Sequence, residues 1–292
     1  MSVDPQILLA KADKKAAPAS GFSKLFSGSS TYQYEEAADL YIQAANVFRI
    51  QREGRAAGQA FEKAAAAQQK SESKDEAANT LVEAYKSYKQ TDPEDAVRVL
   101  KQAIQLFTLR GQFRRAANYE MDLGGIYEKE LVNITEAIAA YDTAGEWYFQ
   151  DQAEALANKA FLKVADLSAL NGDYAHAVQR YEQVARASLN NNLTRWSLKE
   201  YFLKSGLCHI AAQDLVAAER AVSQYMEWEP SFVGTRECLL LQDVLQCVKD
   251  SDAEQLSAKL FEYDQFSKLD NWKATILLKI KNNIANAEED IL

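Results

Sequence analysis

Proline, glycine, histidine and cysteine are all scarce in this chain, at 4, 11, 2 and 3 of 292 residues. So little turn chemistry excludes a sandwich or barrel of many short strands. Cys208, Cys238 and Cys247 are odd in number and show no C-x-x-C spacing. That argues against a disulfide framework or a zinc site and reads as three buried structural thiols in a reducing compartment. His176 and His209 lie on different repeats; Cys208 directly precedes His209, but adjacent helix positions diverge, so no metal is expected. H-E-x-x-H, Walker A and G-x-S-x-G motifs are absent. Leu123-Gly124-Gly125 falls inside a helical pattern, where glycine permits close packing rather than cradling phosphate. Adjacent acids such as Glu35-Glu36 point about 100° apart on a helix and form no acid–base dyad. Neither an enzyme nor a cofactor is therefore expected. No apolar run approaches the roughly 18 residues of a membrane span, and residues 1–17 lack the apolar stretch of a secretory signal. A cytoplasmic protein follows, still able to visit a membrane surface. Its net charge of −9 and pI near 5.0 argue against general nucleic-acid binding.

What is abundant is alanine at a fixed interval of about twenty residues. Ala37, Ala57, Ala77, Ala96, Ala117, Ala137, Ala157 and Ala177 form the series. Four residues after each stands a large apolar group: Tyr41, Phe61, Leu81, Leu100, Met121, Tyr141, Phe161 and Tyr181. Three further on comes a small or branched one, from Ala44 and Ala64 to Val164 and Val184. Offsets 0, 4 and 7 share one face of an α-helix. One amphipathic helix per step, and one antiparallel hairpin per two steps, predicts an all-α, TPR-like solenoid over residues 34–229. The frame predicts Ser197, Tyr201 and Cys208, then Ala217, Ala221 and Tyr225, as its continuation. Three greasier helices, Ser231–Val248, Ala253–Ser267 and Asn271–Asn286, predict a C-terminal bundle over 230–292 that closes the open face. Asp92 before Pro93 reads as a helix cap, as does Asp173 after Gly172.

Three features fall outside this core pattern. Lys159 and Lys199 are forty apart and both sit at offset 2, about 200° from the core alanine. With Lys163 one turn on, and Arg114, Arg115 and Arg195 at the starts of equivalent helices, they predict an outward basic strip. The plain alternative is a solvated helix face; the functional one is a dock for an acidic, elongated partner. Residues 1–33 hold a short helix candidate, Val3–Ala16, and a loop carrying Phe22, Lys24, Leu25 and Phe26. That loop either tucks against the first hairpin or touches anionic lipid, with Lys11, Lys14 and Lys15 just upstream. The terminus Glu288-Glu289-Asp290-Ile291-Leu292 sets acids at the C-terminal end of a helix, where cations are preferred. It is either a frayed solvated tail or a contact for a basic partner.

The chain resembles the soluble NSF attachment proteins, the α-SNAP family, over nearly its whole length. The resemblance rests on Gly21-Phe22-Ser23-Lys24-Leu25-Phe26-Ser27-Gly28, Tyr34-Glu35-Glu36-Ala37-Ala38, Gly145-Glu146-Trp147-Tyr148, Asn158-Lys159, Tyr201-Phe202-Leu203-Lys204 and Leu269-Asp270-Asn271-Trp272-Lys273. The N-terminal loop and the run Gly111-Gln112-Phe113-Arg114-Arg115 look most like a fungal member. The resemblance implies a twisted sheet of helical hairpins with a C-terminal bundle. It implies a non-enzymatic adaptor that binds assembled SNARE bundles and recruits the hexameric AAA ATPase NSF for their disassembly in vesicle fusion and transport. By the same resemblance Lys159, Lys163, Lys199 and Arg236 would face the SNARE bundle, and Phe22, Leu25 and Phe26 the membrane. Asp214, the C-terminal acids, Ile291 and Leu292 would face the ATPase. The protein would be a monomer alone, with several copies on one bundle. Ser23, Ile291 and Asn118 depart from the family pattern, which expects a second large apolar residue, a leucine and, in animal relatives, a base. A generic peptide-binding repeat scaffold is the alternative; it accounts for the solenoid but for neither the Phe loop nor the acidic terminus.

Overall fold

In the computed structural model, which describes residues 4–17, 30–71, 73 and 75–289, every regular element is helical. Phe22, Lys24, Leu25, Phe26, Asp290, Ile291 and Leu292 lie outside the described residues. The chain divides into two compact units, Met1–Ala153 and Glu154–Leu292. The first holds α1 (Pro5–Ala16), α2 (Ser30–Ile50), α3 (Gly54–Lys70), α4 (Ala77–Tyr88), α5 (Pro93–Leu109), α6 (Phe113–Lys129) and α7 (Ile134–Gln150). The second holds α8 (Glu154–Leu170), α9 (Tyr174–Leu189), α10 (Leu198–Ala211), α11 (Leu215–Trp228), α12 (Arg236–Lys249), α13 (Ala253–Phe266) and α14 (Asn271–Glu289). Within each unit, helices adjacent in sequence pack against each other, as short connections require.

The alanine ruler describes the core. All eight alanines from Ala37 to Ala177 are fully buried, and of the offset-4 residues Met121 alone stays half-buried. The small offset residues let helices approach closely. At Gly124 an added Cβ would lie 2.7 Å from the Tyr141 ring, so this glycine of α6 serves packing. Phe161, nearly sealed from water, fills its groove from α8 with Arg180 stacked 4.3 Å above the ring. Phe161→Ala should therefore cost about 3–5 kcal/mol, read as a lowered midpoint in thermal or urea unfolding; a loss below ~1 kcal/mol would show that the groove collapses around the cavity.

The ruler slips after α9. Residues 190–197, ending in a 3₁₀ turn at Arg195–Ser197, carry one residue too many for the frame. The buried positions become Leu198, Phe202 and Ser205, then Ala218, Val222 and Tyr225, instead of the predicted Ser197, Tyr201 and Cys208, then Ala217, Ala221 and Tyr225. Cys208, Ala221 and Tyr225 are buried all the same, the last joined by its hydroxyl to Ser205 at 2.8 Å.

The predicted C-terminal helices form with shifted ends, and a 3₁₀ turn at Pro230–Gly234 replaces the first turns expected from Ser231. Leu240, Leu241, Val244, Leu245, Leu256, Ile276, Leu277, Ile280 and Ile284 share one core with residues of α8–α11, whereas Leu239 and Phe261, expected inside, face solvent. Asp92 stands at the N-cap of α5 before Pro93 as expected, but its side chain makes no capping hydrogen bond and its carboxylate faces Arg55 at 3.5 Å. Asp173 does cap α9, accepting from the His176 amide at 3.1 Å, and Gly172 before it has φ 86°. The three cysteines are free and buried.

Candidate functional site: opposite charges at the two ends of the second unit

In the second unit α8, α9 and α10 alternate in direction, so α8 and α10 run parallel. Lys204 of α10 meets Asp166 of α8 at 2.7 Å and fixes their relative level. Lys159 precedes Asp166 by seven residues and Lys199 precedes Lys204 by five. Both therefore lie toward the same end, about 10 Å and 7 Å along their helices from that contact. Arg195 stands in the turn before α10, and Arg236 opens α12. The structure thus groups Lys159, Lys199, Arg195 and Arg236 at one end, with half-buried Lys163 one turn further along α8.

These cations differ in their surroundings. Lys159 is exposed and has no ion-pair partner among the described residues. Lys199 is not at offset 2 as predicted: after the slip it stands one residue from buried Leu198, about 100° from the core direction. That turns it sideways onto Glu237 of α12, at 2.9 Å, a carboxylate only 11% exposed. The position equivalent to Lys159 is now Glu200, which binds the buried Lys273 of α14 at 2.6 Å. Burial alone would lower the Lys273 pKa, but its hydrogen bonds to Glu200 and Asp270 outweigh this and raise it. Arg195 pairs with Glu229 at 2.6 Å; hydrogen bonds from Arg195 and then Ser231 hold that carboxyl down to about 2. Arg236 stacks 5.0 Å from the Phe266 ring. In the first unit, Arg114 pairs with Asp151, while Arg115 hydrogen-bonds Asn79 and lies 4.4 Å over Phe107.

The other end of the second unit is acidic. Asp173, Asp214 and Asp252 sit at successive turns there, each accepting a backbone amide hydrogen bond as a helix cap. Asp214 takes the Ala217 amide at 2.9 Å. Helix α14 starts beside α10's first turn, through Lys273 and Glu200, and ends beside α10's last, where Asn283 donates to the Ala211 carbonyl at 3.4 Å. Glu288 and Glu289 follow along the α14 backbone, so that helix carries its acids toward the end that holds Asp214. From Lys273 to Glu288 is about 22 Å of helix. The start of α14 is riveted: the Trp272 indole donates to the Asp166 carbonyl at 3.1 Å, and its ring lies 4.8 Å from the Lys204 ammonium and edge-on to Tyr181.

A match to the soluble NSF attachment protein family covers residues 3–285, nearly everything just described. The chain belongs to the soluble NSF attachment protein family. Relatives of this family align end to end. The probable vesicular-fusion protein sec17 homolog of Schizosaccharomyces pombe is 54% identical over 100% of both chains. The alpha-soluble NSF attachment protein of Saccharomyces cerevisiae is 50% identical over 99% of both. Its human counterpart is 39% identical over 97% of this chain and 96% of its own. Membership sets the chain among attachment proteins rather than enzymes, and the fungal likeness read from the N-terminal loop agrees with it. No helix among the described residues is long and apolar enough to cross a membrane.

The acids that hold Arg114, Arg195 and Lys199 were not anticipated from the sequence of this soluble NSF attachment protein. Asp151, Glu229 and Glu237 follow their basic partners by 37, 34 and 38 residues, close to one hairpin repeat. That interval was the available signal. Leu193 and Trp196, both strongly exposed in the turn that carries Arg195, were also passed over. The Trp196 indole donates to the Leu193 carbonyl at 2.8 Å, which fixes the turn.

Proposed function

We propose that the protein is an adaptor that binds an assembled SNARE bundle at the basic end of its second unit. From the acidic end, it recruits and stimulates the hexameric NSF ATPase. The observation that carries this reading is the opposite placement of the two charge sets on one helical unit. Lys159, Lys199 and Arg236 stand at one end, with Lys163 one turn beyond Lys159, while Asp214 and the α14 terminus stand at the other. Lys159 offers an acidic four-helix bundle long-range attraction, while Lys199, held by Glu237, offers a fixed ammonium at short range. Leu193 and Trp196 add an apolar contact beside them. Arg114 and Arg115 of the first unit would be further basic contacts for the bundle.

Glu288, Glu289, Asp290, Ile291 and Leu292 would meet a basic surface of the ATPase, and so would Asp214. Phe22, Leu25, Phe26 and Lys24 would hold the chain weakly at the membrane where SNAREs reside. Several copies lining one bundle would multiply weak contacts, an avidity gain of about 10²–10⁴. Pull-down on immobilised SNARE bundle, with and without the ATPase and nucleotide, tests the reading. The chain should bind the bundle alone, retain the ATPase only in its own presence, and release on hydrolysis. Absence of bundle-dependent ATPase retention would leave the generic peptide scaffold as the better account.

A further inference from the structure

In the first unit the connections alternate between two edges. Those after α1, α3, α5 and α7 share one edge, as three contacts record: Ser73 with Glu35 at 3.3 Å, Arg110 with Asp75 at 3.2 Å, and Arg114 with Asp151. The segment carrying Phe22, Leu25 and Phe26 leaves α1 and enters α2 on this edge. Further along the same edge stand Leu109, 76% exposed, Phe149, 55% exposed, and Phe113, 42% exposed. Phe113 lies edge-on to Trp147 at 5.9 Å, over a shallow groove of about 340 Å³ bounded by Arg114, Arg115 and Asp151. Arg115 has no acidic partner among the described residues. On the opposite edge Ile50 and Val132 are exposed but separated by the polar turn 89–92.

Aromatic and aliphatic side chains interleaved with arginine suit the headgroup boundary of a bilayer, where rings sit in the interface and guanidinium groups reach phosphate. We propose that this edge of the first unit, through Leu109, Phe113 and Phe149 with Arg114 and Arg115, is a second contact for an anionic lipid surface. It rests on the membrane reading of the Phe loop and extends it along the edge from which that loop departs. Arg114 and Arg115 would then serve lipid phosphate as well as, or in place of, the SNARE bundle. An edge anchored at two places lies down on the membrane; one anchored at the loop alone pivots.

The full chain is labelled with an environment-sensitive dye at Leu109→Cys or at Phe22→Cys; the native thiols are buried and spared. It is then mixed with vesicles rich in phosphatidylserine. Emission from both sites should shift to the blue. In flotation, Leu109→Ser/Phe113→Ser/Phe149→Ser should lower vesicle binding about ten-fold, with helix content retained by circular dichroism. A shift at Phe22→Cys without one at Leu109→Cys overturns the inference and leaves the loop reading standing. No shift at either site, with no flotation, removes both.

Discussion

Lys159→Glu combined with Lys199→Gln should weaken capture of assembled SNARE bundle by about 30-fold at roughly 0.1 M salt, and by more at lower ionic strength. The two substitutions differ because the two lysines differ. Lys159 is exposed and paired with nothing described, so reversing its charge turns attraction into repulsion without disturbing the fold. Lys199 leans on Glu237, which is largely buried. Glutamate there would set two carboxylates against each other, and any loss of binding would be confused with loss of structure. Glutamine removes the charge and keeps a donor for Glu237. Circular dichroism and the unfolding midpoint should stay close to wild type, and the salt dependence of binding should flatten because fewer ion pairs form. Unchanged capture at low salt would remove the basic end from the account.

The alanine period made most of the fold legible because it reports a packing requirement: close helix approach at one position and a groove-filling side chain one turn later. The same requirement explains where legibility stopped. A periodic frame extrapolates through turns of constant length, and residues 190–197 are longer by one. From there the sequence offered two equally apolar registers, Tyr201 or Phe202, Ala221 or Val222; burial chose Phe202 over Tyr201 and took in both Ala221 and Val222. Grouping Lys159 with Lys199 survived this error because two residues of offset became one, still off the core face. The orientation did not survive: Lys199 faces Glu237 instead of pointing away from the core. Asp214 shows the converse limit. Its spacing from Asp173 and Asp252 marks a recurring cap, and only the path of α14, pinned by Trp272 and Lys273 at its start and by Asn283 further on, shows that this helix runs toward the end that holds Asp214. Contacts 72 and 106 residues apart have no signature in a local pattern.

Asp214 and the tail can be separated by the same logic. Asp214→Asn keeps a side-chain oxygen for the Ala217 amide, so α11 should lose only a few tenths of a kcal/mol, whereas Asp214→Ala should cost about 1 kcal/mol. If Asp214 serves only as a cap, stimulation of the ATPase should follow stability: intact in the Asn variant, reduced in the Ala variant. If its charge meets a basic surface, the Asn variant loses stimulation with its fold unharmed. Ile291→Ala with Leu292→Ala adds the apolar half of the test and should lower SNARE-dependent ATP hydrolysis about ten-fold while bundle capture stays at the wild-type level. About 22 Å of helix separates Lys273, at the basic end, from Glu288, so truncating two side chains beyond Glu288 has no direct route to the SNARE contact. A parallel fall in bundle capture would mean that the two ends do not work independently, and the riveted start of α14, where Trp272 holds Asp166 and Lys204 on the helices that carry Lys159 and Lys199, would be the place to look for the coupling.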